Sequence, residues 1–497
     1  MEYFMRKVID LQASLFCPTI DQIKFDLYSR DEIPELLMGL QAIYKDKEAR
    51  EAIFELLMQL VISKEINPEK GRKGMDLWTI FVLGNLRLNC NIDFDKLHEL
   101  ANEHRTLRMM IGHGPFDDKR YPLQTIKDNV SLLTPEILAK TNKIIVDFGH
   151  KIVGKKTDEP LKGSCDSFVL ETDVHFPTDI SICFDAVRKT LETIGTLCGL
   201  LGIPGWRENQ SNIRKVKIKL RKASKLKRSS SKNEEKQEQK DQQIKDAHED
   251  YIDLSEGFLN KAQETINLIN ISDCPISQAN VFQIQEYINH GNRQIDQIRR
   301  RVINGESIPH TEKIFSIFEE HTEWVSKGKA GVPVELGKRI CIVKDQYGFI
   351  LHYRVMENET DDKVAIPIIF ETKQLFPYLI SGSFDKGFHS PANQKALAEI
   401  LDNVYLPRKG RLSQEAKEIE FSEDFIQARR KHSAVESSIN ALGNHGLDIC
   451  RDHGLDGLKR YVGLAIVARN IQIIGHIIHQ KELKKKRLTE KRLSLAA

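Results

Sequence analysis

The stretch that most constrains this 497-residue chain runs from residue 334 to residue 443, where short apolar strands alternate with helices. Lys338-Arg339-Ile340-Cys341-Ile342-Val343-Lys344 and Phe349-Ile350-Leu351-His352-Tyr353-Arg354-Val355 read as two strands. The turn residues Asp345-Gln346-Tyr347-Gly348 join them into a hairpin. A helix is expected over 361–376, a short apolar strand at Leu379–Phe384, and a helix from Pro391 to Ile400. Val404-Tyr405-Leu406-Pro407 reads as a last strand and residues 422–443 as a long helix. One more strand, residues 164–172, lies far upstream. It ends near His175-Phe176-Pro177, after which Thr178 or Asp179 caps a helix whose Val187, Leu191, Ile194 and Leu197 keep helical spacing.

With the largely helical residues 181–330 set aside, a lone strand precedes a hairpin and then alternating helices and strands. That is the element order of an RNase H-like domain, whose sheet is mixed because antiparallel strands come first and parallel ones follow. The expected fold class is therefore α+β. An RNase H-like mixed-sheet core is interrupted by a helical insertion and preceded by an all-helical N-terminal domain. The expected layout is a helical, DNA-binding N-terminal region at 1–150 and the first core strand at 160–180. A helical insertion at 181–330, the rest of the catalytic core at 331–475 and a basic tail at 476–497 complete it. In the N-terminal region, Leu77, Phe81, Gly84 and Leu88 recur three and four apart, and Asp93 is a good start for a second helix. These short helices suit either a helix-turn-helix-like module or an ordinary bundle.

Net charge is only +3, so any nucleic-acid surface must be local. Such a block exists: Arg214 to Lys232 carries ten Lys and Arg and no acid. The eight cysteines form no C-x-x-C pair, which removes the common zinc-ribbon and redox signatures and suits reduced thiols. The first ten residues mix acids with bases and lack the apolar run of a signal peptide. No apolar run reaches the ~18 residues of a membrane span.

Three acids fall where such a core would gather them. Asp166 sits in the first strand, Asp385 lies 219 residues further on at the exit of strand 379–384, and Glu436 follows 51 later on the long helix. Three carboxylates make a hard-oxygen donor set suited to Mg²⁺. Phosphodiester cleavage needs an activated oxygen nucleophile and neutralised charge on the attacking and leaving oxygens, which two ions ~4 Å apart provide. The expected ligands are Asp166 bridging two Mg²⁺, with Mn²⁺ able to substitute, and Asp385 and Glu436 each holding one. Asp173 is the alternative to Asp166, and strand alternation puts the two on opposite faces.

The words around these acids match a known family. Asp166-Ser167-Phe168-Val169-Leu170-Glu171 with His175-Phe176-Pro177-Thr178-Asp179 resembles the first-aspartate block of DDE transposases of bacterial insertion sequences, in the ISNCY-like group. Ile314–Phe318, Glu323-Trp324, Lys327–Ala330 and Pro333–Gly337 resemble its second block, and Asp385-Lys386-Gly387-Phe388 its second-aspartate block. Leu406–Gly410 and His432-Ser433-Ala434-Val435-Glu436 resemble its glutamate region, and Met75–Leu88 its N-terminal helical segment. The resemblance spans roughly residues 70–475. It implies Asp166, Asp385 and Glu436 as the catalytic acids, and hydrolytic nicking at transposon ends followed by attack of the freed 3′-OH on target DNA. It also implies double-stranded DNA as partner, a homodimer or larger assembly on that DNA, no membrane, and a bacterial cytoplasmic, nucleoid-associated location. Ser167-Phe168 stand where two threonines are expected, and Arg429, His432 and Gly443 stand where related enzymes place Tyr, Arg and Lys.

Candidate DNA contacts are Arg214, Lys215, Lys217, Lys219, Arg221 and Lys222 of the basic block. Lys327 and Lys329 before the hairpin, Arg408 and Lys409 after the last strand, and Arg429 and His432 on the long helix join them. The bland reading of the block is a solvated linker, and of His432 a packed histidine. Trp206 and Trp324 are either buried or able to stack on a flipped base. Two rival functions keep the same residues: an RNase H-like endonuclease that cleaves without joining, and a non-catalytic DNA-binding protein derived from a transposase.

Overall fold

Strand β1 (Leu161–Thr172) intersperses polar residues with apolar ones, of which Leu161, Cys165, Phe168 and Leu170 are buried. Burying Phe168 and Leu170 contributes about 1.5–3 kcal/mol each. A computed structural model describes residues 8–9, 18–62, 74–227, 233–269, 275–326 and 333–496. The protein is α+β and 65% helical, with a mixed sheet. It divides into two units, Met1–Asp173 with Lys327–Ala497, and Val174–Ser326.

In the first unit, β1 is flanked on both sides. The hairpin β3 (Val334–Lys344) and β4 (Ile350–Val355) lies on one side, β3 antiparallel to β1 with Ile342 opposite Asp166. On the other side β5 (Leu379–Phe384) runs parallel to β1 with Phe384 opposite Cys165, and β6 (Asn403–Tyr405) runs parallel to β5. The order across this unit is β4–β3–β1–β5–β6. A two-residue strand, β7 (Ile449–Cys450), pairs with the far end of β1, and β2 (Glu323–Ser326) belongs to the second unit.

The hairpin turn is fixed by Asp345, which is 3% exposed. Its Oδ1 accepts the N–H groups of Tyr347 and Phe349, both at 2.9 Å, and its Oδ2 meets His150 Nε2 at 2.6 Å. Gly348 closes the turn at φ +98°, where a side chain would be strained.

The N-terminal helices are α1 (Ile33–Lys45), α2 (Lys47–Ile62), α3 (Leu77–Asn89), α4 (Phe94–Glu103), α5 (Arg105–Met110), α6 (Leu123–Val130) and α7 (Pro135–Val153). Asp93 does cap α4, accepting the N–H of Lys96 at 2.8 Å. Thr134 caps α7, which stops at the left-handed Gly154. These helices share one continuous hydrophobic cluster with the sheet. Every residue of α3 is buried, including the polar Thr79, Asn85, Arg87 and Asn89, so it is a core helix.

Helices α12 (Asp361–Leu375) and α13 (Pro391–Ile400) follow β4 and β5 in the chain, and α14 (Gln414–Glu420) and α15 (Glu423–Leu442) follow β6. The last helix, α16 (Gly454–Ala496), is unbroken, so the expected basic tail forms its final turns. Its residues 454–493 are long and apolar enough to cross a membrane, but 67% of its most apolar stretch is buried inside the protein, as in a core helix. It crosses α1 with glycine on both helices. A Cβ on Gly39 would lie 2.3 Å from Ile471 O, and one on Gly475 1.8 Å from Glu35 O.

The second unit is helical, built from α8 (Asp179–Leu201), α9 (Asn209–Lys227), α10 (Glu234–Leu268) and α11 (Pro275–Ile298). Thr178 and Ser181 form a reciprocal capping box at the start of α8. Val187, Leu191, Ile194, Tyr251, Leu259, Ile284 and Ile288 belong to its separate core.

Candidate active site

The two aspartates are brought together by strand pairing. Because Cys165 lies opposite Phe384 on parallel strands, the next residue of each, Asp166 and Asp385, emerges at the same level of the sheet. Asp385 stands at the end of β5, where the chain turns into a 3-10 turn over Lys386–Phe388. Glu436 projects from the exposed side of α15, and Val435 beside it is fully buried. His432, one turn earlier, bonds through Nδ1 to Ser383 Oγ at 3.1 Å, tying α15 to β5 two residues before Asp385. The His432 Nε2 is buried without a hydrogen-bond partner.

Electrostatics join these groups. Asp166 is raised to about 6, chiefly by burial, with a hydrogen bond from the Ser167 N–H opposing it and the charges of Asp385, Asp361 and Glu436 adding to it. Burial holds His432 below its usual value, while Asp385 and Glu436 pull it up.

Asp361 is the acid that sequence reasoning missed. It is the first residue of α12, and its Oδ1 accepts the hydroxyl of Ser167 at 2.7 Å. A Cβ at Gly387 would come within 2.9 Å of Asp361 Oδ2, so glycine there lets the Asp385 turn approach α12. An acid opening a helix is an ordinary start signal, so nothing in the string marks Asp361 as special.

All four donors are carboxylates, the hard-oxygen set Mg²⁺ prefers, and Asp166's raised proton affinity is what a nearby cation relieves. Among the described residues, no three His, Cys, Asp or Glu side chains converge tightly enough to enclose an ion as placed.

The candidate DNA contacts divide. On α9, Ile213, Val216 and Ala223 turn inward while Arg214, Lys215, Lys217, Arg221 and Lys222 are exposed, so these basic residues form a helix face, and residues 228–232 of the block lie outside the described residues. Lys219 and Lys222 are engaged with Asp250 at 2.7 and 3.4 Å. Lys409 donates to Gly387 O at 2.8 Å and so braces the Asp385 turn, while the Arg408 N–H is held by Glu420. Arg429 is exposed on α15. Lys327 and Lys329 lie outside the described residues. Asp173 is exposed just past the end of β1. Trp206 is 5% exposed and donates to Thr265 Oγ1, which marks a packed residue, and Trp324 lies in a ring cluster with Phe176 and Phe315.

No protein-family model matches this chain, nor does any curated protein or solved structure.

The raised Asp166 gives a prediction about stability. A carboxyl whose folded pKa lies above its unfolded value favours folding at low pH, and that contribution is lost as pH rises through about 6. With a chelator present, Asp166→Asn is expected to melt higher than wild type at pH 7.5, by roughly 1–2 kcal/mol after discounting for residual solvent contact. The gain should vanish near pH 4. Thermal melts at both pH values check this, and an equal gain at both would show that charge repulsion is not its source.

Proposed function

We propose that this protein is a DDE transposase: a metal-dependent DNA strand-transferase with an RNase H-like core whose acids are Asp166, Asp385 and Glu436. One observation carries the reading: Asp166 on the central strand, whose next-strand neighbour in register leads into Asp385, lies near enough to the charges of Asp385 and of Glu436 on α15 for both to raise its proton affinity. The strand order β4–β3–β1–β5–β6, antiparallel on one side of β1 and parallel on the other, supports the RNase H-like assignment. The composition of the acid cluster supports divalent metal as cofactor.

Asp166, Asp385 and Glu436 would hold Mg²⁺, which supplies charge neutralisation on the phosphate and a more acidic oxygen nucleophile. The chain's own residues position. Ser167 fixes Asp166 through its N–H and Asp361 through its hydroxyl, a link that keeps two acids in register. Ser383 holds His432, and so the turn of α15 that presents Glu436. Lys409 braces the turn beyond Asp385.

The test is an assay of labelled DNA that carries the native flanks of the coding gene. With Mg²⁺, nicked ends and products joined to a second DNA are expected. Nicking without joining would favour an endonuclease, and neither product with any divalent ion would sink the reading.

A further inference from the structure

A cleft of about 580 Å³ opens beside β1 and β5, lined by residues that come shortly before Asp166 and Asp385 in those strands. Its floor is Ser164 of β1 with Ser381 and Ser383 of β5. Residues two apart on a strand share a face, so Ser164 and Ser383 lie on the face that carries Asp166 and Asp385. One end is the hairpin turn from Lys344 to Gly348, and the opposite wall is α15 with Ala428, Lys431 and Ala434. The N-terminal half of α15 buries only Phe425, so it stands off the sheet and leaves the cleft open.

The lining is cationic and aromatic. Lys162, Lys344 and Lys431 face it together with Tyr347 and Tyr405. Its one acid, Asp345, spends both oxygens on the turn and on His150. Lys344 is anchored to Ala434 O at 2.9 Å, whereas Lys162 and Lys431 are exposed and have no carboxylate partner among the described residues. Tyr405 is held edge-on by Phe425 at 5.8 Å. A cationic groove with aromatic platforms is how proteins hold single-stranded nucleic acid, the lysines taking phosphates and the rings taking bases. The volume falls in the range of about 300–1,000 Å³ that suits small ligands, so it admits an unpaired nucleotide but not a duplex about 20 Å across.

We infer that this cleft binds an unpaired nucleotide of the DNA strand that is cut at the acids, with its phosphate on Lys162 and Lys431 and its base against Tyr405. The inference deepens the proposed function and rests on it for the strand's identity.

The test is anisotropy with a fluorescent 12-nucleotide single-stranded DNA and full-length protein in EDTA, so that binding is read apart from cleavage. A Lys162→Glu/Lys431→Glu double variant changes two exposed side chains and is expected to fold as wild type by circular dichroism. Its affinity should fall at least tenfold, and its log–log salt slope should flatten by about 1.4, near 0.7 for each lost single-strand phosphate contact. Tyr405→Ala should also weaken binding about tenfold, with Tyr405→Phe restoring it. Oligonucleotide binding equal to wild type in the folded double variant would overturn the inference, as would wild type binding duplex but no single strand. If wild type cleaves DNA yet these variants bind unchanged, the cleft assignment alone fails. If the variants lose binding while no cleavage is found, the cleft stands and the strand-transfer reading fails.

Discussion

On the proposed function, Asp385→Asn protein is expected to nick DNA about a hundred- to a thousandfold more slowly than wild type while melting within a degree or two of it. Electrostatic stabilisation of a transferring phosphoryl group depends on groups set in advance, and loss of one typically costs two to three powers of ten. Asp385 is exposed at a strand exit and its side chain makes no capping hydrogen bond to the turn that follows, so its amide leaves the fold intact. Glu436→Gln should behave alike, since Glu436 too is exposed. Asp361→Asn should cost less, about ten- to a hundredfold, if Asp361 acts by orienting Asp166 through Ser167. Initial nicking rates across the three variants, with melts run alongside, measure this. Wild-type rates in Asp385→Asn would remove the basis for a DDE mechanism.

Gly475→Leu is expected to lose at least about 3 kcal/mol of stability, or to fail to fold. Overpacking a close contact forces backbone apart, and here the obstacle is the Glu35 carbonyl, not a flexible side chain. Helices α1 and α16 can approach only because Gly39 and Gly475 present no Cβ at the crossing. Gly257→Ala is the control: it lies within α10 with nothing inside 4 Å of a new Cβ, so alanine there should be neutral or gain up to about 1 kcal/mol through helix propensity. Chemical denaturation of both variants checks the contrast, and a harmless Gly475→Leu would mean the helices cross differently.

Much of this was legible in the chain because it is local. The strand at 379–384 and the helix at 391–400 end where the sequence reading puts them, since Ser390 caps the helix and Pro391 opens it. Thr178 announces α8 in the same way. Features that depend on distant partners were not legible. Apolar residues three and four apart in α3 mark a helix, but not that its neighbours bury it all round. The basic terminus reads as a tail by charge alone, though no glycine or proline after Gly475 breaks α16. Asp361 joins the acids only because Ser167 reaches it from β1.

The placement of the second unit between β1 and β3 sets a timetable for synthesis. Asp166 is made 176 residues before Ile342, its partner across the sheet, and Gly39 emerges 436 residues before Gly475. At about 5–20 residues per second, β1 waits roughly 10–35 s on the ribosome for its first neighbour. The Val174–Ser326 helices, with a hydrophobic core of their own, are complete in that interval. A chain halted just after residue 326 therefore carries one finished body, the helices α1–α7 without their partner α16, and a strand β1 without sheet neighbours, so chaperones would meet unfinished apolar surface of the first unit in every round of translation.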